Sequence, residues 1–346
     1  MPLRILSIDG GGTRGIIPAT ILNCIETDFG VSPLELFDVF AGTSTGGIIS
    51  IGLAAGVPTD KLLDLYLKNA GEIFYESFFH EVSGLEGNVQ ATYKNDHLKT
   101  ILNTLFGNKK LSDVQTSSNF GNKNKDLMVC SFDLSPQRIP GQNNNYRPVI
   151  FHSSFKSDQD ILLTDLALRT SAGPTYFPVY QQEYIDGGVA LNNPAMAAIA
   201  FAINDQKDGD GTYILPDGKN KGLGKGLNDL KLFSLSTGTG NKNRIEKADI
   251  RTGNWGNLQW IKYLPDLITE SNMQSTNYYV TQVLPDPEKQ YLRIDLYFDD
   301  PSAPEVLQIK PIGLDAKDPQ ILQGMHDFAL HTYQKNKQKI VSFLGL

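Results

Sequence analysis

"LSIDGGGTRGII", residues 6–17, is the stretch on which the fold turns. An apolar run of strand length leads into three consecutive glycines, and an apolar helix start follows. Gly10, Gly12 and Gly15 satisfy G-x-G-x-x-G, the spacing with which a strand–loop–helix unit offers backbone N–H groups to a pyrophosphate. Other anions want the same donors at a helix start. The loop alone therefore leaves open which negative charge it serves.

The second strand narrows the choice. A dinucleotide fold places an acidic residue ~20 residues on, at the end of that strand, to bind the ribose. Here "LFDVFAG" (36–42) ends in Ala41–Gly42, and Asp38 is expected inside the strand, pointing to a face. No G-K-[ST] follows any glycine loop. A nucleotide-binding module built on Gly10–Gly15 remains the weaker alternative. What does follow the strand is "AGTSTGGII". Gly42, Thr43, Ser44, Thr45 and Gly46 read G-x-S-x-G between a strand and a helix, the context of a nucleophile elbow. The sharp reversal strains the central serine, and the flanking glycines remove side chains that would collide with the strand and helix. The bland alternative is a strand-to-helix turn rich in small residues.

With Ser44 as a candidate nucleophile, the first loop gains a role. The N–H groups of Gly10, Gly11 and Gly12, continuing through Thr13, Arg14 and Gly15, are placed to meet an oxyanion, and Arg14 adds a fixed positive charge. A base is still required. The histidines are His80, His97, His152, His326 and His331, and none lies between a strand end and a glycine turn. "EYIDGGVALNNP" (183–194) supplies Asp186 at the end of a short strand, followed by Gly187 and Gly188. The alternative there is an aspartate bonded to its own turn.

The rest of the chain reads as alternating strands and helices. Strands are expected at 3–8, 36–42, 126–134 and 230–238, with a strand end at 182–188. Helices are expected at 16–28, 45–56, 59–70, 95–106, 161–171 and 194–204. This order predicts a three-layer α/β/α fold with a mostly parallel central sheet. One domain is expected over 1–346: a core carrying the motifs over 5–200, a Gly/Asp/Lys-rich insertion at 205–229, and 230–346 completing the same fold. "DGDG" within the insertion is out of register for a calcium loop. A second loop is expected over 117–126.

Composition excludes several classes. The 346 residues are 40% hydrophobic and 20% charged, enough for a large core. The net charge of -7, without a Lys/Arg run, lacks the footprint of nucleic-acid binding and of strong attraction to anionic lipids. Cys24 and Cys130, the two cysteines, read as core thiols and not as a disulfide. The absence of a signal peptide and of a membrane-spanning run points to a cytoplasmic protein, with peripheral membrane contact left open.

Together the three motifs resemble those of patatin-like phospholipases, whose pattern is D-G-G-G-x-R-G, then G-x-S-x-G, then D-G-[GA]. It stands here as Asp9–Gly15, Gly42–Gly46 and Asp186–Gly188. "ALRTSAGPTYFP" (167–178), "WGNLQWI", "STNYYV" and "YLRID" follow the family's order too. The resemblance implies a Ser–Asp dyad, Ser44 as nucleophile and Asp186 as base, with the Gly10–Gly12 loop as oxyanion hole. It implies a lipid acyl hydrolase of phospholipase A or lysophospholipase type, acting on phospholipids or galactolipids without metal or organic cofactor. It also admits an unidentified activator. A carboxylesterase or thioesterase is the alternative within enzymes, and an idle storage or regulatory protein the alternative outside them. The chain order Ser44, Asp186, His326 also permits a triad with His326 or His331. An ordinary aspartate, with pKa near ~4, stays ionised where a histidine base of pKa ~6.5 fails, so a dyad is expected to remain active below about pH 6.

Trp255 and Trp260 lie in "NWGNLQWIKYLPDLI", with further apolar residues at near-helical spacing. "FYESFF" (74–79) is a second aromatic cluster. Both fit core packing. The stretch around Trp255 and Trp260 also fits a lipid-touching rim over Ser44.

Overall fold

The computed structural model describes residues 2–73, 93–115, 125–134, 146–206, 222–239, 253–310 and 312–346, with Ile245 and Ile250. The aromatic cluster at 74–79 lies outside these residues, as do most of the expected loops at 117–126 and 205–229.

Among the described residues, seven strands form one sheet. They are β1 (Leu3–Ile8), β2 (Val39–Thr43), β3 (Asp126–Asp133), β4 (Arg147–His152), β5 (Tyr184–Asp186), β6 (Leu230–Leu235) and β7 (Tyr291–Ile294). The order is β4-β3-β2-β1-β6-β7, with β5 also paired to β3. The four pairings from β3 to β7 are parallel, and β4 and β5 run antiparallel to β3. The mostly parallel sheet is thus present, with an antiparallel edge.

Alternation along the strands sorts the core into two halves, because successive side chains point to opposite faces. Leu6 and Ile8 of β1, Phe40 of β2 and Val129 of β3 face one side. There they pack with helices α1 (Ile16–Phe29), α2 (Thr45–Ala54), α3 (Thr59–Ile73), α4 (Asn95–Phe106) and α5 (Leu163–Ser171). Ile5, Val39, Ala41 and Met128 face the other side, against α6 (Ala195–Ile203) and the end of α7 (Asn257–Val283). A final helix, α8 (Pro319–Leu344), returns to the first face and packs on α1. Burial on both faces is what makes these strands continuous apolar runs. Every residue of α2 is buried, in keeping with its largely apolar sequence.

Two expectations need correction. The second strand starts at Val39 instead of residue 36, because Ser32 caps a one-turn helix at Pro33–Leu36. Pro33 at its first position and Glu35 closing a capping box make that turn locally favourable. Asp38 therefore precedes the strand instead of lying within it. Its carboxylate accepts the Arg4 N–H at 3.0 Å, at the edge of the sheet opposite the glycine loop, which removes it from any ribose role. Cys24 is only half-buried, Cys130 is buried, and both are free thiols. Among the described residues no helix is long and apolar enough to cross a membrane.

Candidate active site

Strand register brings the motifs together. β1 and β2 run side by side, with Ile8 opposite Gly42, so the glycine loop and Ser44 leave the same edge of the sheet. On β3, Cys130 pairs with Thr43 of β2 and the next residue, Ser131, pairs with Asp186 of β5. β5 continues the sheet where β2 stops, which sets Asp186 beside Ser44. The Ser44 side chain interacts with the Asp186 carboxylate and favours its ionised form, across 142 positions of chain.

Ser44 carries the strain expected of an elbow. Its φ of 54° and ψ of -123° lie where a residue with a side chain seldom rests. A Cβ on Gly42 would strike the Gly46 carbonyl, and one on Gly46 would strike the carbonyls of Ile8 and Asp9. The Thr170 hydroxyl accepts the Ser44 N–H at 2.8 Å and donates to the Cys130 carbonyl at 2.5 Å. It ties the elbow to β3 through α5.

Asp186 is enclosed, with one side open to the cavity. Burial pushes its carboxyl up to about 6, against the opposing pull of the Ser44 hydroxyl and the Gly188 N–H. The Gly188 bond is 2.7 Å long. This corrects the premise that the aspartate behaves as an ordinary carboxylate. A group titrating near 6 is a better base at neutral pH, and it loses that capacity where the sequence argument expected it to persist.

The glycine loop is narrower as a donor site than its sequence suggests. The Gly10 N–H is bonded to the Asn192 carbonyl (3.0 Å), Thr13 N–H to Leu314 (2.8 Å) and Arg14 N–H to Gly11 (3.2 Å). Among the described residues the N–H groups of Gly11 and Gly12 have no acceptor. Gly12 has φ 59°, and a Cβ there would strike the Leu314 carbonyl. The loop is pinned from both sides, since the Thr237 hydroxyl donates to the Gly10 carbonyl at 2.7 Å. Arg14 reaches the Gly11 carbonyl through Nε at 3.3 Å. Burial lowers its pKa, and Asp266, Tyr176 and Glu270 resist that shift.

Ser44, Asp186, the loop and Arg14 line one cavity of about 280 Å³. Ile48, Leu65, Ile73 and Leu98 form apolar walls, while Leu264, Pro265 and Ile268 of α7 border it. Among the described residues no histidine lines it. His326 instead contacts Gln323 and Asp327 of its own helix, and His152 is buried against Phe201. This argues against the triad. Trp255 and Trp260 pack edge to face at 5.1 Å, one turn or more before the cavity-lining part of α7, and neither lines it.

Sequence reasoning missed three supports. Thr170 belongs to "ALRTSAGPTYFP", but nothing local marks its hydroxyl as the elbow's partner. Asn272 of α7 accepts the Asn192 N–H at 2.8 Å and donates to the Ala190 carbonyl, bracing the turn that follows Asp186. Arg293 of β7, in "YLRID", pairs with buried Asp9 at 2.6 Å.

Comparisons with known proteins bear on the family of the chain. The family profile described as patatin-like phospholipase matches residues 6–199. Patatin-like protein 2 of Arabidopsis thaliana is 29% identical, with 91% of this chain and 81% of that protein covered. Patatin-like protein 4 of the same plant is 29% identical, covering 96% and 87%. A Solanum tuberosum protein named "Probable inactive patatin-3-Kuras 1" is 25% identical, covering 99% and 92%. With more than half of its length matched by the profile, the chain belongs to the patatin-like phospholipase family.

Proposed function

We propose that this protein is a lipid acyl hydrolase of phospholipase A type that works through an acyl-enzyme on Ser44. Family membership supports lipid hydrolysis in general. A relative named as inactive means that membership does not decide the matter, and the site has to. The observation that carries the reading is that Ser44 and Asp186 line the same apolar-walled cavity, with the Ser44 side chain set against the Asp186 carboxylate.

The chemistry follows from the parts. Asp186 takes the Ser44 proton as Oγ attacks the ester carbonyl. The oxyanion meets the N–H groups of Gly11 and Gly12, each such donor being worth roughly 3–4 kcal/mol in the transition state. The alcohol leaves with the proton held on Asp186. Water then attacks acyl-Ser44, Asp186 again accepts a proton, and Oγ leaves protonated with release of the fatty acid. The walls of Ile48, Leu65, Ile73 and Leu98 suit an acyl chain.

Hydrolysis is to be assayed on phosphatidylcholine, lysophosphatidylcholine, a galactolipid, a soluble short-chain ester and a thioester. Wild type should release fatty acid from at least one lipid. Ser44→Ala and Asp186→Asn should each lose about a thousandfold or more, because the pair acts as a unit. Activity surviving in Ser44→Ala rejects the mechanism. Turnover of the soluble ester or thioester alone rejects the lipid assignment.

A further inference from the structure

We infer that the outward face of α7 is a docking surface for an electrically neutral lipid bilayer, and that substrate enters the cavity from that face. The inference rests on the lipid-hydrolase reading and adds the partner and its charge. Trp260, Leu264, Leu267 and Ile268 are 42%, 43%, 43% and 41% exposed. Their spacing of 0, 4, 7 and 8 residues sets them on one face of the helix. Four large apolar side chains gathered in this way mark an interaction site, unlike apolar residues scattered singly.

What covers this face follows from its continuity with the cavity. Leu264 and Ile268 are at once exposed and part of the lining that encloses Ser44 and Asp186. The exposed apolar face therefore shares residues with the cavity that holds the reacting groups. Exposed Pro174 and Thr175 also line the cavity. A lipid entering over these shared residues keeps its acyl chain against apolar side chains on the way to Ser44. A protein partner seated there would close the route.

Charge selects the kind of surface. Anionic membranes are recognised by clusters of Lys and Arg next to the inserted residues. Between Trp260 and Glu270 the chain has a single base, Lys262, against Asp266 and Glu270, and the whole chain carries -7. Apolar contact without basic support fits a surface with no net charge.

Flotation with vesicles tests this directly. Wild type and Ser44→Ala should both float with phosphatidylcholine vesicles, and raised salt should not release them. Replacing about a third of the lipid with phosphatidylserine should leave binding equal or weaker. Trp260→Ser combined with Leu267→Ser should lower partitioning roughly tenfold or more, since each change removes a buried apolar group. Tyr146→Ser with Ile309→Ser, exposed apolar residues outside the cavity lining, should bind as wild type. Thermal melts of both double variants should match wild type. Several outcomes overturn the inference: no flotation of wild type, unchanged flotation of the α7 variant, binding that needs phosphatidylserine and is lost in salt, or a dimer in solution occluding this face. Turnover of the soluble ester, measured separately, reports on the Ser44 chemistry and stands or falls independently.

Discussion

Asp186 is held where its neutral form is favoured, and two measurable consequences share that cause. Its carboxyl titrates near 6, raised by burial, while an unfolded aspartate titrates near ~3.9. As a base it must be ionised, so kcat/KM on an uncharged soluble ester should climb with pH through a midpoint near 6. A profile flat down to pH 5 would show that the carboxyl is unperturbed. Stability moves in the opposite sense. Below about pH 4 both folded and unfolded states hold the proton, and the site costs nothing. Between about 4 and 6 the unfolded chain releases it first, so stability falls as pH rises. Above 6 the cost is complete, of order 2–3 kcal/mol for a shift of this size. Asp186→Asn, which cannot ionise, should therefore melt higher than wild type at pH 7.5 and level with it near pH 4. An equal difference at both values would assign the effect to packing.

The elbow is a strained turn between β2 and α2, and a third element holds it. Strain of this kind costs about 1–3 kcal/mol and persists only where the surroundings over-determine it. α5 supplies the restraint through Thr170, whose hydroxyl accepts from Ser44 and donates to β3. Thr170→Val keeps the shape and removes both bonds. We expect a loss of about 1–3 kcal/mol in stability, as for an unsatisfied buried pair, and a fall of tenfold or more in kcat with KM little changed. Thr170→Ser, which retains the hydroxyl, should recover most of kcat. Equal rates in the valine and serine variants would mean that the hydroxyl does not position Ser44. Elements of this kind divide sharply in how legible they were. β1, β3 and the helices at 16–29, 45–54 and 95–106 announce themselves through apolar period and glycine punctuation. The elbow was readable because G-x-S-x-G encodes its own sterics. β5, at three residues, has no period to read, and its place beside β2 is set by the shared partner β3. Thr170 was equally hidden, because a hydroxyl's partner 126 residues away leaves no trace in its neighbours.

Across the whole molecule, the site depends on chain far from its motifs. Asp9, which opens the glycine loop, is fully buried at the end of β1. Arg293 reaches it from β7, past β6, with contacts of 2.6 and 3.3 Å, and also holds Ser234 (2.8 Å) and Asp295 (2.9 Å). Burial raises the Asp9 carboxyl to about 6 against the pull of Arg293. It also works against the guanidinium charge, but Asp9 and Asp295 outweigh it and hold Arg293 above the ordinary arginine range. A pair of this kind is costly to break and cheap to remove whole. Arg293→Met strands a buried carboxylate, so a loss of about 3–5 kcal/mol is expected in urea unfolding at pH 7.5. Asp9→Asn with Arg293→Met removes both charges and should restore most of that loss, because Asp295 is partly exposed and can be solvated. Turnover separates scaffold from site. The Gly11 and Gly12 N–H groups hang on a loop that begins at Asp9, and the double variant no longer ties that loop to β7. Its kcat should therefore stay depressed after its stability has returned, with KM near wild type. Recovery of both together would make the pair a structural brace alone. Recovery of neither would mean that burying two charges at this point in the sheet contributes more than neutral packing can replace.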